Sequence, residues 1–190
     1  MNRRYLLVVL IGLLPSFFGG CAQQPSGTLP QSVAATSAPL TKMPLQPGGQ
    51  VGNMVLTKGT ESSPDTPCII LHPPTEPGVR TETCTATVRS GSLIGAGWEA
   101  ADPKMVASAW ETVTMEMYVD EQPVDLAAFG TLEKAGGNRR FWNVALDKPT
   151  SGKHTFRYVF HLSKPLDTGV HQFPAGTYDV TWVVNFLVLP

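Results

Sequence analysis

The side chains able to do chemistry in this chain are few, and their spacing argues against most of what they could do. Four histidines, His72, His154, His161 and His171, are candidate bases or metal ligands. No two have the i, i+4 spacing that sets a pair of imidazoles on one helix face around zinc, and no acidic calcium-loop pattern occurs. His161 and His171 converge only if their strand and loop pack together; two exposed histidines beside a loop is the plainer expectation. His154 opens an alternating strand and is expected in the core or at its rim. For a nucleophile, there is no Gly-x-Ser-x-Gly elbow, and Ser90-Gly91-Ser92 reads as a turn between strands. Gly91 to Gly97 (GSLIGAG) has the glycines of a phosphate loop without its lysine. Asp120, Glu121 and Asp125 cluster at a turn, as a carboxylate pair, a weak cation site or, the favoured reading, solvated turn residues. No catalytic set, metal site or cofactor is therefore expected, and the chain is not read as an enzyme.

Aromatic side chains are the remaining asset. Trp142 and Trp182 fall on the inward faces of expected strands. Trp98 and Trp110 flank the connection 99–105 and are the candidate binding residues, since an exposed aromatic beside a loop makes an anchor for a partner. Charged residues are 15% of the chain, the formal net charge is -1 and no basic block stands out. That argues against nucleic acid as a partner and against electrostatic steering of charged substrates.

The N-terminus carries a different signal. Arg3 and Arg4 precede an apolar run from Tyr5 to Phe18, broken by Gly12, Pro15 and Ser16. A membrane span needs about 20 apolar residues, so this shorter run suits the apolar core of a signal peptide. Phe18-Gly19-Gly20-Cys21 follows at once and resembles the lipobox of bacterial lipoprotein precursors, an apolar residue and two small ones before a cysteine; Phe18 stands where that family usually has leucine. The resemblance implies diacylglycerol on the Cys21 sulfur, cleavage before Cys21 and acylation of the new N-terminus. The protein would then be held on an extracytoplasmic membrane surface, the outer membrane where the cell has one, because Ala22 rather than Asp follows the cysteine. Two or more acyl chains give stable anchoring. Gly20 and Ala22 also satisfy an ordinary secretory site cut after Ala22. If Cys21 carries lipid, Cys68 and Cys84 remain as an even pair in a compartment that permits disulfides, and a bridge between them is expected, the alternative being two buried free thiols. They lack the second close ligand pair of a zinc site.

Behind Cys21, Gln, Pro, Ser, Thr, Ala and Gly dominate as far as about Gly52, with no aromatic residue and no sustained period. Such a segment buries too little apolar surface to offset its ordering entropy. It reads as a flexible tether with a random-coil reach of about 30 Å. The expected division is a signal peptide over 1–20, a lipidated N-terminus and linker over 21–52, and a folded domain over 53–190.

That domain reads as strands almost throughout. Tyr178, Val180, Trp182, Val184 and Phe186 alternate with Asp179, Thr181, Val183 and Asn185, the mark of a strand with one buried face. Phe156, Tyr158, Phe160 and Leu162 repeat the pattern, and a longish turn-rich loop between the two runs predicts an antiparallel pair. Val113, Met115, Met117 and Val119 form another inward row, and Trp142, Val144 and Leu146 a further one. Cys68 to Leu71 and Thr83 to Val88 are expected as strands flanking the Pro-rich turn His72 to Gly78, with the two cysteines facing across that hairpin. Asp102 as cap, Pro103 at the first helical position and the run to Thr112 predict one short helix.

Ser151 to Tyr158 and Pro174 to Val180, each a glycine turn leading into an alternating strand, resemble the strands of bacterial immunoglobulin-like and fibronectin type III-like domains. Gly176-x-Tyr178-x-Val180 is similar to a tyrosine corner, in which the hydroxyl ties a loop back to the backbone. The fold class expected is all-β, an immunoglobulin-like β-sandwich of about seven or eight strands with one short helix. The function expected is a non-catalytic binding module, displayed on a membrane through lipid on Cys21, for an envelope protein or glycan. An accessory subunit of an envelope assembly and, ranked below it, an envelope hydrolase are the alternatives.

Overall fold

The computed structural model describes residues 42–70, 74–134 and 136–189. The expected signal peptide, Cys21 and most of the expected tether lie outside the described residues, as does His72. In chain order the elements are β1 (Gln50–Val51), β2 (Met54–Thr57), α1 (Pro67–Ile70), β3 (Gly78–Val88), β4 (Gly97–Glu99), α2 (Pro103–Thr112), β5 (Val113–Val119), β6 (Gln122–Pro123), α3 (Leu126–Phe129), β7 (Thr131–Glu133), β8 (Arg139–Trp142), β9 (Ala145–Lys148), β10 (Gly152–Leu162), β11 (Leu166–Asp167), β12 (Gln172–Phe173) and β13 (Gly176–Val188). The expected all-β character holds.

Five strands make the main sheet, in the order β3-β13-β10-β5-β6. β10 and β13 pair antiparallel from Gly152↔Phe186 to Leu162↔Gly176, the pairing that their alternation predicts. A sheet face is set by period two, and here Phe156, Tyr158, Phe160 and Leu162 of β10 and Tyr178, Val180, Trp182, Val184 and Phe186 of β13 are all buried. On the opposite face, Arg157 of β10 forks onto Asp179 of β13 at 2.8 and 2.7 Å. β3 pairs with β13 in parallel, in unbroken register from Tyr178↔Gly78 to Val188↔Val88. Smaller sheets, β1-β2-β9 and β4-β8-β7, and the β11-β12 hairpin complete the strands. They cover the inner face of the main sheet: the buried Tyr158 hydroxyl donates to the Ile94 carbonyl at 2.7 Å, and Trp98 of β4 stands edge-on to Phe160 at 5.8 Å.

α2 forms as its signals predict. The Asp102 carboxylate accepts from the Lys104 and Met105 N–H groups at 2.8 and 2.9 Å, Pro103 has no N–H that would need an acceptor, and Val106 and Ala109 are buried. The helix ends where Val113 turns extended into β5.

Other expectations need correction. Thirteen strand segments and three helices occur among the described residues, against seven or eight strands and one helix. Cys68 lies on α1 and not on a strand, so no hairpin joins it to Cys84; the bridge ties a one-turn helix to β3. Trp142, Val144 and Leu146 do not share a strand. Trp142 ends β8, Val144 N–H turns back to the Trp142 carbonyl at 2.8 Å, and Leu146 lies on β9 in a different sheet. The folded unit also begins before Asn53. Leu45 is buried, its N–H donates to the Pro123 carbonyl at 2.7 Å, and β1 pairs with β2, so the segment from Lys42 belongs to the domain and not to the tether.

Candidate functional site

A cavity of about 140 Å³ opens between the inner face of the main sheet and β4-β8. Period two delivers one wall: Tyr158 and Phe160 from β10 with Tyr178, Val180 and Trp182 from β13. Trp98 and Phe141 supply the opposite wall from β4 and β8, with Gly97 and Phe141 directly paired. Gly97 has to be glycine, because a Cβ there would meet the Arg140 carbonyl and the Phe141 backbone. Phe173 of β12, which stands edge-on to Trp98 at 4.9 Å, closes one end. Val170 and His171, both exposed, stand at that end of the opening.

The charged groups at the mouth stand in ion pairs, although Arg139 Nε and Asp65 Oδ1 are buried without a hydrogen-bond partner. Arg139 donates to Asp65 at 2.8 Å, lies 3.4 Å from Glu99 and rests over the Phe141 ring at 5.0 Å. Lys134 adds a second cation 3.5 Å from Asp65. Two cations thus face two carboxylates, and an ionic ligand group gains no unpaired charge here. Burial holds the Tyr158 phenol well above its ordinary pKa, so at neutral pH it is a neutral hydrogen-bond donor. Apolar cavities of about 150 Å³ take a single benzene ring, so the space fits one ring or one branched aliphatic group.

The two candidate tryptophans divide. Trp98 is buried, 8% exposed, and forms cavity wall instead of the exposed anchor its loop position suggests. The cause is β4, whose short pairing with β8 turns the indole inward against Phe160 and Phe173. Trp110 is half-buried on α2, 5.2 Å from Trp142, with Arg140 over its ring at 5.7 Å, and it is not part of the large cavity. Sequence reasoning missed Phe141, Phe173 and Tyr178 as cavity residues. Their strands were legible for β13 only, and nothing in sequence places two-residue β12 opposite Trp98.

The histidines separate as well. The ring of His161 lies 3.1 Å from the Thr177 hydroxyl on the exposed face, while His171 stands at the cavity mouth. His154 is held on both sides: Nδ1 lies 2.8 Å from Asp120 Oδ2, and Nε2 lies 3.0 Å from Thr150 Oγ1. That is the atom order of a nucleophile, a base and its orienting acid. Nε2, however, also lies 3.2 Å from the Thr150 carbonyl, which can only accept, and this partner keeps a proton on the nitrogen that would have to receive one. None of the described cavities is lined by these residues. The cluster ties the turn at Asp120 to the start of β10. The Asp120 hydrogen bond raises the His154 pKa against the opposing effect of burial. Burial raises the Asp120 pKa, but hydrogen bonds from His154 and the Thr155 N–H outweigh it, and the net shift is downward.

Cys68 and Cys84 are at bonding distance, with Cα atoms 6.3 Å apart. The Tyr178 hydroxyl donates to the Pro174 carbonyl at 2.7 Å, the tie that the Gly176-x-Tyr178-x-Val180 motif suggested. Among the described residues no group of three or more His, Cys, Asp or Glu side chains could hold a metal ion, and no helix is long and apolar enough to cross a membrane. Comparison with known protein families, with curated proteins and with solved structures finds no match to the chain.

Proposed function

We propose that this protein is a non-catalytic binding module, tethered to an extracytoplasmic membrane surface through lipid on Cys21, whose aromatic cavity receives a neutral, ring-sized apolar group. The cavity bounded by Trp98, Phe141, Phe160, Phe173 and Trp182 carries the reading. Its walls reward burial of apolar surface and stacking against ring edges, and the cations near its mouth face carboxylates. The group belongs to a partner in the same compartment, an apolar side chain of an envelope protein in preference to a glycan, since the walls are mainly aromatic and the hydrogen-bonding groups lie at the mouth. The domain is an immunoglobulin-like β-sandwich in this proposal, supported by the tyrosine tie at Pro174 and by the layer of short strands over the main sheet. The lipobox-like Phe18 to Cys21 supports the anchor.

Two measurements test the two halves. Titration of the full chain with toluene, followed by indole fluorescence and by the thermal midpoint, is expected to give a saturable change that N-acetylglucosamine does not reproduce. No response to toluene removes the cavity reading. Mass spectrometry of the mature N-terminus is expected to show acylated Cys21, and an unmodified start at Gln23 removes the anchor.

A further inference from the structure

Among the described residues β3 is an edge of the main sheet, guarded by α1 at one end and elsewhere only by the charges of Arg80 and Glu82. Among the described residues it pairs with β13 on one side and with no strand on the other. It runs for 11 residues with no proline, no lysine and no register shift, whereas sheet edges are commonly blunted by such features. Its hydrogen-bonding direction follows from one contact: the Leu189 N–H donates to the Val88 carbonyl at 2.9 Å, so Val88 points its polar backbone toward β13. Backbone direction alternates along a strand, so Arg80, Glu82 and Cys84 also point toward β13, while Val79, Thr81 and Thr83 point their N–H and C=O groups out of the edge.

α1 covers one end of that edge. The Cys68 sulfur lies 3.6 Å from the Thr85 carbonyl, and Ala86 and Val88 are buried. From Gly78 to Thr83 every residue is exposed except Arg80, which is half-exposed, and Val79 is 84% exposed. Among the described residues a short stretch of edge remains unpaired, and its two charges decide what fits it.

We propose that two copies of this chain join edge to edge through Gly78–Cys84, antiparallel about a two-fold axis at Thr81. A two-fold axis normal to the sheet pairs residues of the same face, so one residue must stand opposite itself. With Thr81 on the axis, Arg80 stands opposite Glu82 of the partner subunit, and the symmetry repeats that pair. Val79 then stands opposite Thr83 of the partner subunit, and both expose the outward-pointing backbone groups that the ladder needs. Moving the axis to Arg80 sets two guanidinium groups opposite each other. Moving it to Glu82 opposes two carboxylates and drives the partner strand into α1. Only the Thr81 register is complementary in charge, and it ends where α1 begins to cover the edge. Arg80 can re-aim, since among the described residues its guanidinium donates only to the exposed Glu76 carbonyl, at 3.1 Å. The result is a continuous sheet across both copies, a mode of association set by backbone hydrogen bonds and fixed in register by charge. It rests on the edge backbone and not on the aromatic cavity, although Arg80 and Glu82 share the inner face with Val180 and Trp182.

The test uses the full chain in membranes or detergent, with the unsubstituted chain run alongside to account for its own cysteines. Thr81→Cys is expected to give a reducible dimer on non-reducing gels after mild oxidation, because the axis brings the two residues to a separation a disulfide can span. Thr87→Cys, on the same strand but beyond the overlap, is expected to give none. Arg80→Glu and Glu82→Arg each oppose like charges twice and are expected to weaken dimerisation at least about fivefold, while the two together restore it. A Thr81→Cys chain that stays monomeric, that cross-links instead to a different protein, or that cross-links no better than Thr87→Cys overturns the proposal. So does a double charge reversal no better than the single ones.

Discussion

Replacing Tyr158 with phenylalanine isolates a polar tie that crosses the core. The ring stays, so its packing against the cavity and Phe160 is kept, and only the hydroxyl is lost. In the native protein that hydroxyl, on a side chain 2% exposed, donates at 2.7 Å to the carbonyl of Ile94, which is 0% exposed. The substitution leaves the carbonyl without this donor in a place water reaches poorly, and a buried acceptor left unpaired costs about 1–3 kcal/mol. Tyr178→Phe is the internal control. It removes a bond of the same length to the Pro174 carbonyl, but Pro174 is exposed and water can replace the phenol. The expected cost is nearer the net value of an ordinary hydrogen bond, about 0.5–1.5 kcal/mol. Urea denaturation followed by fluorescence should show both variants with an unchanged slope and a lowered midpoint, Tyr158→Phe by the larger amount. Equal stability of Tyr158→Phe and the unsubstituted chain, or a larger loss for Tyr178→Phe, would refute the claim that this hydrogen bond locks the small sheets onto the large one.

Other outcomes follow from the same geometry. Replacing both Cys68 and Cys84 with serine opens a loop with a sequence separation of 16, and the chain-entropy relation puts the loss at about 3 kcal/mol, readable as a lower urea midpoint that reductant no longer changes. The His154–Asp120 clasp makes stability depend on pH. Protonated His154, its pKa raised above 6.5, contributes fully below 6.5 and loses that contribution as pH rises through the raised value. Ionised Asp120, its pKa lowered below 3.8, contributes fully above 3.8 and loses it as pH falls through the lowered value. Urea midpoints should therefore be highest between those limits, and His154→Gln should flatten the profile; an unchanged profile would show that the clasp does not govern it. Glu121 occupies a left-handed backbone position, with φ 64°, in the two-residue turn between β5 and β6. Glu121→Gly removes that strain and is expected to stabilise by about 0.5–1 kcal/mol, measured as a raised thermal midpoint.

Much of the local structure was legible because it depends on neighbours in sequence. Period two with β-branched and aromatic residues marks β10, β13 and β5, and Asp102 with Pro103 marks the start of α2, since each signal acts within a turn or a few residues. The tyrosine tie was legible for the same reason: hydroxyl and carbonyl lie four residues apart. The pairing of β3 with β13 in parallel was not, nor was the helix at Cys68, because a four-residue helix and a long-range ladder are settled by what they pack against. The Trp142-Val144-Leu146 row failed instructively. Its alternation is real, but a turn at Val144 sends the two halves into different sheets.

The candidate site divides in the same way. By itself the sequence determined the signal-like N-terminus and the even cysteine pair, the lack of a spaced catalytic or metal-binding set, and which residues of the two longest strands face inward. Trp98 could be named from sequence but not aimed, because its direction depends on β8, which arrives about 40 residues later in the chain. Only the tertiary structure brought five aromatic-bearing elements around one space, paired the charges at its mouth and, among the described residues, left half of β3 without a covering neighbour. Side-chain alternation is a property of a strand, whereas a cavity and an open edge are properties of the gaps between elements that contact each other at long range.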